Sequence, residues 1–199
     1  MTETTEPTRS QPDPATWAGT ADLADLEARL ADAEGLVAGL DFDGTLAPIR
    51  ADPDAVSIEP AVRRAVATLA ARPDATVAVI SGRALDDLRE RVCVEGVVYV
   101  GNHGLEMDRA GRRSVHPEAE ALRPAVERAC DAVEARAGDV PGCRVERKGP
   151  TATVHYRRTP PDRVREVRAA VEAAAGRETG LRLVRGKQSL EVRPAVDWD

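Results

Sequence analysis

Three short apolar runs, each closed by a polar cluster and separated by helical-period segments, constrain this chain more than any other feature. Leu36-Val-Ala-Gly-Leu40 ends in Asp41-Phe-Asp-Gly-Thr45, Thr76-Val-Ala-Val-Ile80 in Ser81-Gly-Arg83, and Val97-Val-Tyr-Val100 in Gly101-Asn-His-Gly104. Runs without polar alternation suit strands buried on both faces. Between them, residues 60–72 and 84–91 read as helices, the first with Pro60 in its opening turn, where a missing N–H is harmless. Strand and helix in alternation predict a parallel α/β sheet. Ligands gather at the carboxyl ends of such strands, so three polar clusters on one edge mark a site.

The flanking segments differ. Residues 1–19, rich in Thr, Pro and Glu, read as a disordered tail. Leu23, Leu26 and Leu30 are spaced for a helix ending near Gly35. After His116 a long helix over 117–137 is predicted, then strands over 143–148 and 151–157. A second helix over 162–175 leads to strands over 181–185 and 189–193. The expected fold is α/β: a partial Rossmann-like parallel core of three strands over residues 20–116, with an inserted α/β module of two helix-strand-strand units over 117–193. Residues 194–199 turn back toward the core.

Composition narrows the function classes. Lys plus Arg total 28 against 34 Asp plus Glu, a net charge of −6, which disfavours a general nucleic-acid binder. Aromatics at 3 % leave few rings to stack on bases. No run approaches the roughly 18 to 20 uncharged apolar residues of a spanning helix, and the polar amino terminus is no secretory signal. Cys93, Cys130 and Cys143 show no CxxC spacing, so they read as packing residues in a reducing cytoplasm. Gly180 to Lys187 mimics a phosphate loop, but five residues separate its glycines and Gln188 follows the lysine, so it is not one.

The strongest chemical signal is Asp41-Phe-Asp-Gly-Thr-Leu46. Carboxylates at i and i+2 on an extended strand point to one side. One can attack as a nucleophile while the other donates and accepts a proton, and Gly44 lets backbone N–H groups turn toward an anion. A carboxylate attacking phosphorus forms an acyl phosphate. Because one anion must approach another, the chemistry calls for a cation, and Mg²⁺ with its oxygen ligands fits. An Asp-rich turn would look similar in part, but rarely directly after an apolar strand.

The pattern resembles motif I of the haloacid-dehalogenase-like phosphatases. The resemblance implies Asp41 as nucleophile, Asp43 as acid and base, Mg²⁺ held by the Asp41 carboxylate and the Asp43 carbonyl, and Ser81 as the motif II hydroxyl that binds the phosphoryl group. Six segments in order narrow it: residues 41–49, 81–83, 101–106, Glu146-Arg-Lys148, His155-Tyr-Arg157 and Leu190-Glu-Val-Arg-Pro194 look like the trehalose-6-phosphate phosphatase family. That likeness implies Mg²⁺-dependent hydrolysis of trehalose 6-phosphate in trehalose biosynthesis, with the inserted module as a cap over the sugar. It assigns Glu146, Lys148 and Glu191, placed on different cap strands, to the sugar. Gly44, Arg83, Asn102, His103, His155 and Arg157 complete the substrate set. His103 could equally satisfy a loop carbonyl, and a solvated strand face would also carry alternating charges like those of His155 and Arg157. A sugar phosphate is the expected small-molecule partner and a trehalose-6-phosphate synthase a candidate pathway partner, with neither nucleic acid nor membrane.

One departure stands out. The resemblance implies a motif III lysine and a Gly-Asp-Asp-type motif IV after the cap, and neither occurs before Asp199. The chain is therefore expected to be truncated relative to the family, with the outer edge of its first strand uncovered. Rival readings are a phosphatase or phosphomutase on another sugar phosphate, or a fragment that binds sugar phosphates without turnover.

Overall fold

A computed structural model describes residues 33–50 and 55–197. The predicted helix over residues 21–35 lies almost wholly outside the described residues, as does the tail. Two sheets organise the rest.

The first has the order β1-β2-β3-β4-β5, with β1 Leu36–Asp41, β2 Ala75–Ile80, β3 Val98–Gly101, β4 Glu106–Arg109 and β5 Arg112–Val115. Helices α1 (Pro60–Ala70) and α2 (Leu85–Val92) intervene as the alternation requires. β2 and β3 are parallel, with Ile80 opposite Val100. Phe42, Val77, Val79, Leu88 and Val92 form the centre of the core beneath them. The half-buried Arg63 of α1 holds the carboxyl end of α2 by donating to the carbonyls of Val92 and Arg91 at 3.0 and 3.1 Å.

Two expectations change here. Neither of the first two strands is buried on both faces: in β1 Leu36, Ala38 and Leu40 are half-buried while Val37 stands 80 % exposed, and in β2 Val77 and Val79 are buried while Thr76 and Ile80 are exposed. The first sheet also has five strands rather than three. β4 and β5 form an antiparallel hairpin through Ala110 and Gly111, both at positive φ (53° and 79°), the two-residue geometry that matches strand twist. The turn that reverses the chain from β3 into β4 runs through Asn102 and His103, at φ 48° and 57°.

The second sheet is antiparallel, β6-β7-β9-β8, with β6 Arg144–Arg147, β7 Ala152–His155, β8 Leu181–Gly186 and β9 Ser189–Pro194. Helices α3 (Pro117–Ala137) and α4 (Val164–Ala175) complete the helix-strand-strand order twice over. Val133, Val167 and Val171 pack on Val154, Leu190 and Val192. Because strand side chains alternate between faces, the residues between those valines form the opposite, polar face. Glu146 pairs with Thr153, and Thr153 with Glu191, in one cross-strand row. Of the cysteines, only Cys130 is fully buried; Cys93 is exposed and caps α2 in a left-handed conformation, so packing does not account for it. Among the described residues no helix is long and apolar enough to cross a membrane.

Candidate functional site

The loop after β1 is closed by its own backbone. Phe42 accepts from Leu46 and Ala47 at 3.1 and 2.9 Å, and Gly44 donates to the Ala47 carbonyl at 2.8 Å. Gly44 sits at φ +97°, a conformation that a side chain would strain. Phe42 is wholly buried, which turns Asp41 and Asp43 outward on either side of it. Asp41 is exposed, and Asp43 is half-buried.

Asp43 is held from β2's end. Arg83 donates through Nε to Asp43 Oδ2 at 2.9 Å and through Nη2 to Oδ1 at 2.8 Å, a two-pronged pair of the kind a guanidinium favours. The Ser81 hydroxyl, nearly buried, lies 3.5 Å from Asp43 Oδ2 and accepts the Arg83 N–H at 3.2 Å. The Arg83 guanidinium also rests over the Phe42 ring, 5.4 Å from its centroid. Burial pulls the Arg83 pKa down, but the hydrogen bonds that Arg83 donates to Asp43 and Asp87 outweigh it and raise it.

The strand-end turn after β3 joins the two sheets. Asn102 has no exposed surface; its Nδ2 donates to Glu106 and, at 2.8 Å, to the Lys148 carbonyl, while its Oδ1 accepts from Thr151 at 2.6 Å. The Lys148 ammonium donates to the Gly82 carbonyl at 3.1 Å and to Glu191 at 3.2 Å. Arg193 donates to Glu191 and to His103 Nε2, the latter at 2.6 Å. Burial by itself would raise the Glu191 carboxyl, yet His103, Lys148 and Arg193 around it hold it at about 2.

The structure thus brings Asp43, Ser81, Arg83, Asn102, His103, Lys148 and Glu191 into one chain of contacts running from β1 to β9. Glu146 and Lys148 do not lie on different strands as expected; Glu146 is in β6 and Lys148 directly follows it. Glu146 is engaged by His155 Nε2 at 2.6 Å, and that hydrogen bond, with the charge of Lys148, keeps its carboxyl below the ordinary range despite burial. Arg157 stands apart. It is exposed and donates to the carbonyl of Lys187, in the turn between β8 and β9, at 3.3 Å.

Sequence reasoning passed over Arg193, Asp87 and Thr151. Arg193 was legible as the same-face neighbour two residues beyond Glu191, and Asp87 as the helical i+4 partner of Arg83; Thr151 carried no signal. Among the described residues no group of three or more His, Cys, Asp or Glu could hold a metal ion. The exposed Asp41 carboxylate is nevertheless the hard oxygen donor that Mg²⁺ prefers, and Mg²⁺ commonly takes one or two protein oxygens and keeps several waters.

Comparison with known proteins bears on this arrangement. The family profile described as Trehalose-phosphatase matches residues 39–198. The trehalose-phosphate phosphatase of Mycobacterium bovis is 41 % identical over 183 residues, covering 89 % of this chain and 46 % of that protein. That of Mycobacterium marinum is 41 % identical over 160 residues, covering 80 % and 40 %. The solved C-terminal domain of C. albicans trehalose-6-phosphate phosphatase superposes with a TM-score of 0.70 at 26 % identity, covering 85 % of this chain and 60 % of that one. The chain spans less than half the length of these mycobacterial relatives. With most of its residues matched by that profile and its strand-end motifs assembled on one edge, the chain belongs to the trehalose-phosphatase family.

Proposed function

We propose that this chain carries the phosphoryl-attacking part of a phosphatase site for trehalose 6-phosphate, as the names of its relatives suggest. The observation that carries the reading is the Asp43–Arg83–Ser81 cluster next to an exposed Asp41, with Lys148 and Glu191 bridging to it from the second sheet. In this reading an Asp41 oxygen attacks phosphorus in line as the sugar oxygen leaves with a proton from Asp43. Water then attacks the aspartyl phosphate, gives its proton to Asp43, and releases phosphate. Ser81 orients the phosphoryl oxygens, and positioning supplies much of the acceleration. Mg²⁺, held by the Asp41 carboxylate and the Asp43 carbonyl, would neutralise charge between the nucleophile and the phosphate.

Residues 117–193 act as a cap in this reading. Its polar face presents Glu146, Lys148 and Glu191 to the sugar hydroxyls, which fixed polar partners can select. Gly44, Arg83, Asn102 and His103 line the phosphate side, and His155 and Arg157 flank the sugar side. A cytoplasmic setting, and a synthase supplying the substrate, follow from the proposed reaction.

Phosphate release from trehalose 6-phosphate, glucose 6-phosphate and mannose 1-phosphate, with and without Mg²⁺, tests this. Selective Mg²⁺-dependent release, lost in Asp41→Asn with an unchanged circular dichroism spectrum, is expected. Release that survives Asp41→Asn overturns the nucleophile, and equal release from all three sugars overturns the substrate. Binding without release would favour a sugar-phosphate-binding fragment.

A further inference from the structure

Resting on the roles just given to Asp41 and Asp43, we propose that Asp87 is a positioning residue for this chemistry, fixing Arg83 so that Arg83 fixes Asp43. Asp87 lies in the first turn of α2, four residues beyond Arg83. Its Oδ2 accepts from Arg83 Nη1 at 2.9 Å, using the donor that the Asp43 pair leaves over. Its Oδ1 accepts from Arg91 Nε at 2.8 Å, and Arg91 Nη1 in turn donates to the Val56 carbonyl at 2.6 Å. The result is a line of alternating charge, Asp43–Arg83–Asp87–Arg91, tied off on a main-chain oxygen.

The line is held at both ends. Arg83 and Arg91 are only 13 % and 16 % exposed at their side chains, so neither guanidinium floats in solvent. Arg63 fixes the carboxyl end of α2 through the Arg91 and Val92 carbonyls, which keeps Asp87 at a set distance from β2. Burial raises the Asp87 carboxyl, but the hydrogen bonds from Arg91 and Arg83 outweigh it, so Asp87 stays anionic. A long arginine side chain loses much rotamer freedom when it is pinned. With Asp87 in place that loss is borne by two carboxylates, and Asp43 meets a donor fork already in register. A proton-transferring group must sit within hydrogen-bond reach of the reacting oxygen, and small misplacements are costly.

Two measurements on the full chain test the proposal. The first follows the Arg83 Nε–H signal by NMR of arginine-labelled protein. In Asp87→Asn its exchange with water should quicken about tenfold, while Asp87→Glu restores slow exchange. Asp86→Asn, in the same helical turn but paired with Arg113, should leave the signal as it is and so controls for any loss of helix stability. The second compares leaving groups. Asp87→Asn should lower kcat for trehalose 6-phosphate about tenfold with little change in KM, and lower p-nitrophenyl phosphate turnover less, because that leaving group needs no proton. An Arg83 signal unmoved by Asp87→Asn overturns the proposal whatever the activity, as does a kcat for trehalose 6-phosphate that Asp87→Asn leaves unchanged. Should Asp41→Asn retain phosphate release, the parent reading falls, yet the Arg83 signal still decides whether Asp87 holds Arg83.

Discussion

The Lys148 ammonium binds the Gly82 carbonyl of one sheet and the Glu191 carboxylate of the other, at 3.1 and 3.2 Å. Its side chain is only 9 % exposed, so both contacts operate largely out of water. Removing one partner of such a pair leaves the other buried and unmatched. Lys148→Met should therefore lose about 2 to 4 kcal/mol of unfolding free energy by denaturant titration. A loss within error of zero would mean that solvent carries the charge. In the proposed phosphatase the same change should raise KM for the sugar phosphate.

Glu191 sets a pH window. Its carboxyl sits at about 2 against an ordinary 4.5. A folded pKa below the unfolded one contributes stability that is fully present above about 4.5 and lost as pH falls through about 2. The gap in unfolding free energy between the native protein and Glu191→Gln should hold steady from pH 7 to 5, then narrow steadily below. A gap indifferent to pH between 5 and 2 would contradict the placement of Lys148, Arg193 and His103 around this carboxylate.

Gly82 has no room for a side chain. A Cβ there would lie 2.3 Å from His103 Cε1. To clear that space the exposed imidazole has to move away from Arg193, which donates to its Nε2 at 2.6 Å. Gly82→Ala should cost about 1 to 3 kcal/mol by thermal or chemical unfolding. Gly82→Ala combined with His103→Ala should recover part of that loss; failure to recover it would locate the strain in the backbone instead.

How much of this was legible in the residues differs by element. β2 and both helices that follow the first two apolar runs were readable from an uninterrupted apolar run and from helical spacing, although only Val77 and Val79 of β2 are buried and Thr76 and Ile80 are exposed. β1 has the same apolar run yet one exposed face, because an apolar sequence states what a strand could bury and not what lies beside it. The β4–β5 hairpin was missed: Glu106-Met-Asp-Arg carries too little apolar alternation, and only Ala110-Gly111 marks the turn. At the site, i and i+2 spacing put Asp41 and Asp43 forward together as candidates. The grip of Arg83 on Asp43, and of Asn102 on Thr151, joins residues 40 and 49 positions apart, a separation that local pattern does not encode.

The chain has two lysines, and the fold treats them oppositely. Lys187 lies exposed in the turn between β8 and β9, whereas the Lys148 amine is occupied at the seam. Acylating reagents discriminate between such amines by access, so Lys187 is the ready target and Lys148 becomes one only when the two sheets part. Arginine at nearly every other cationic position thus leaves the protein with a built-in chemical gauge of its own opening.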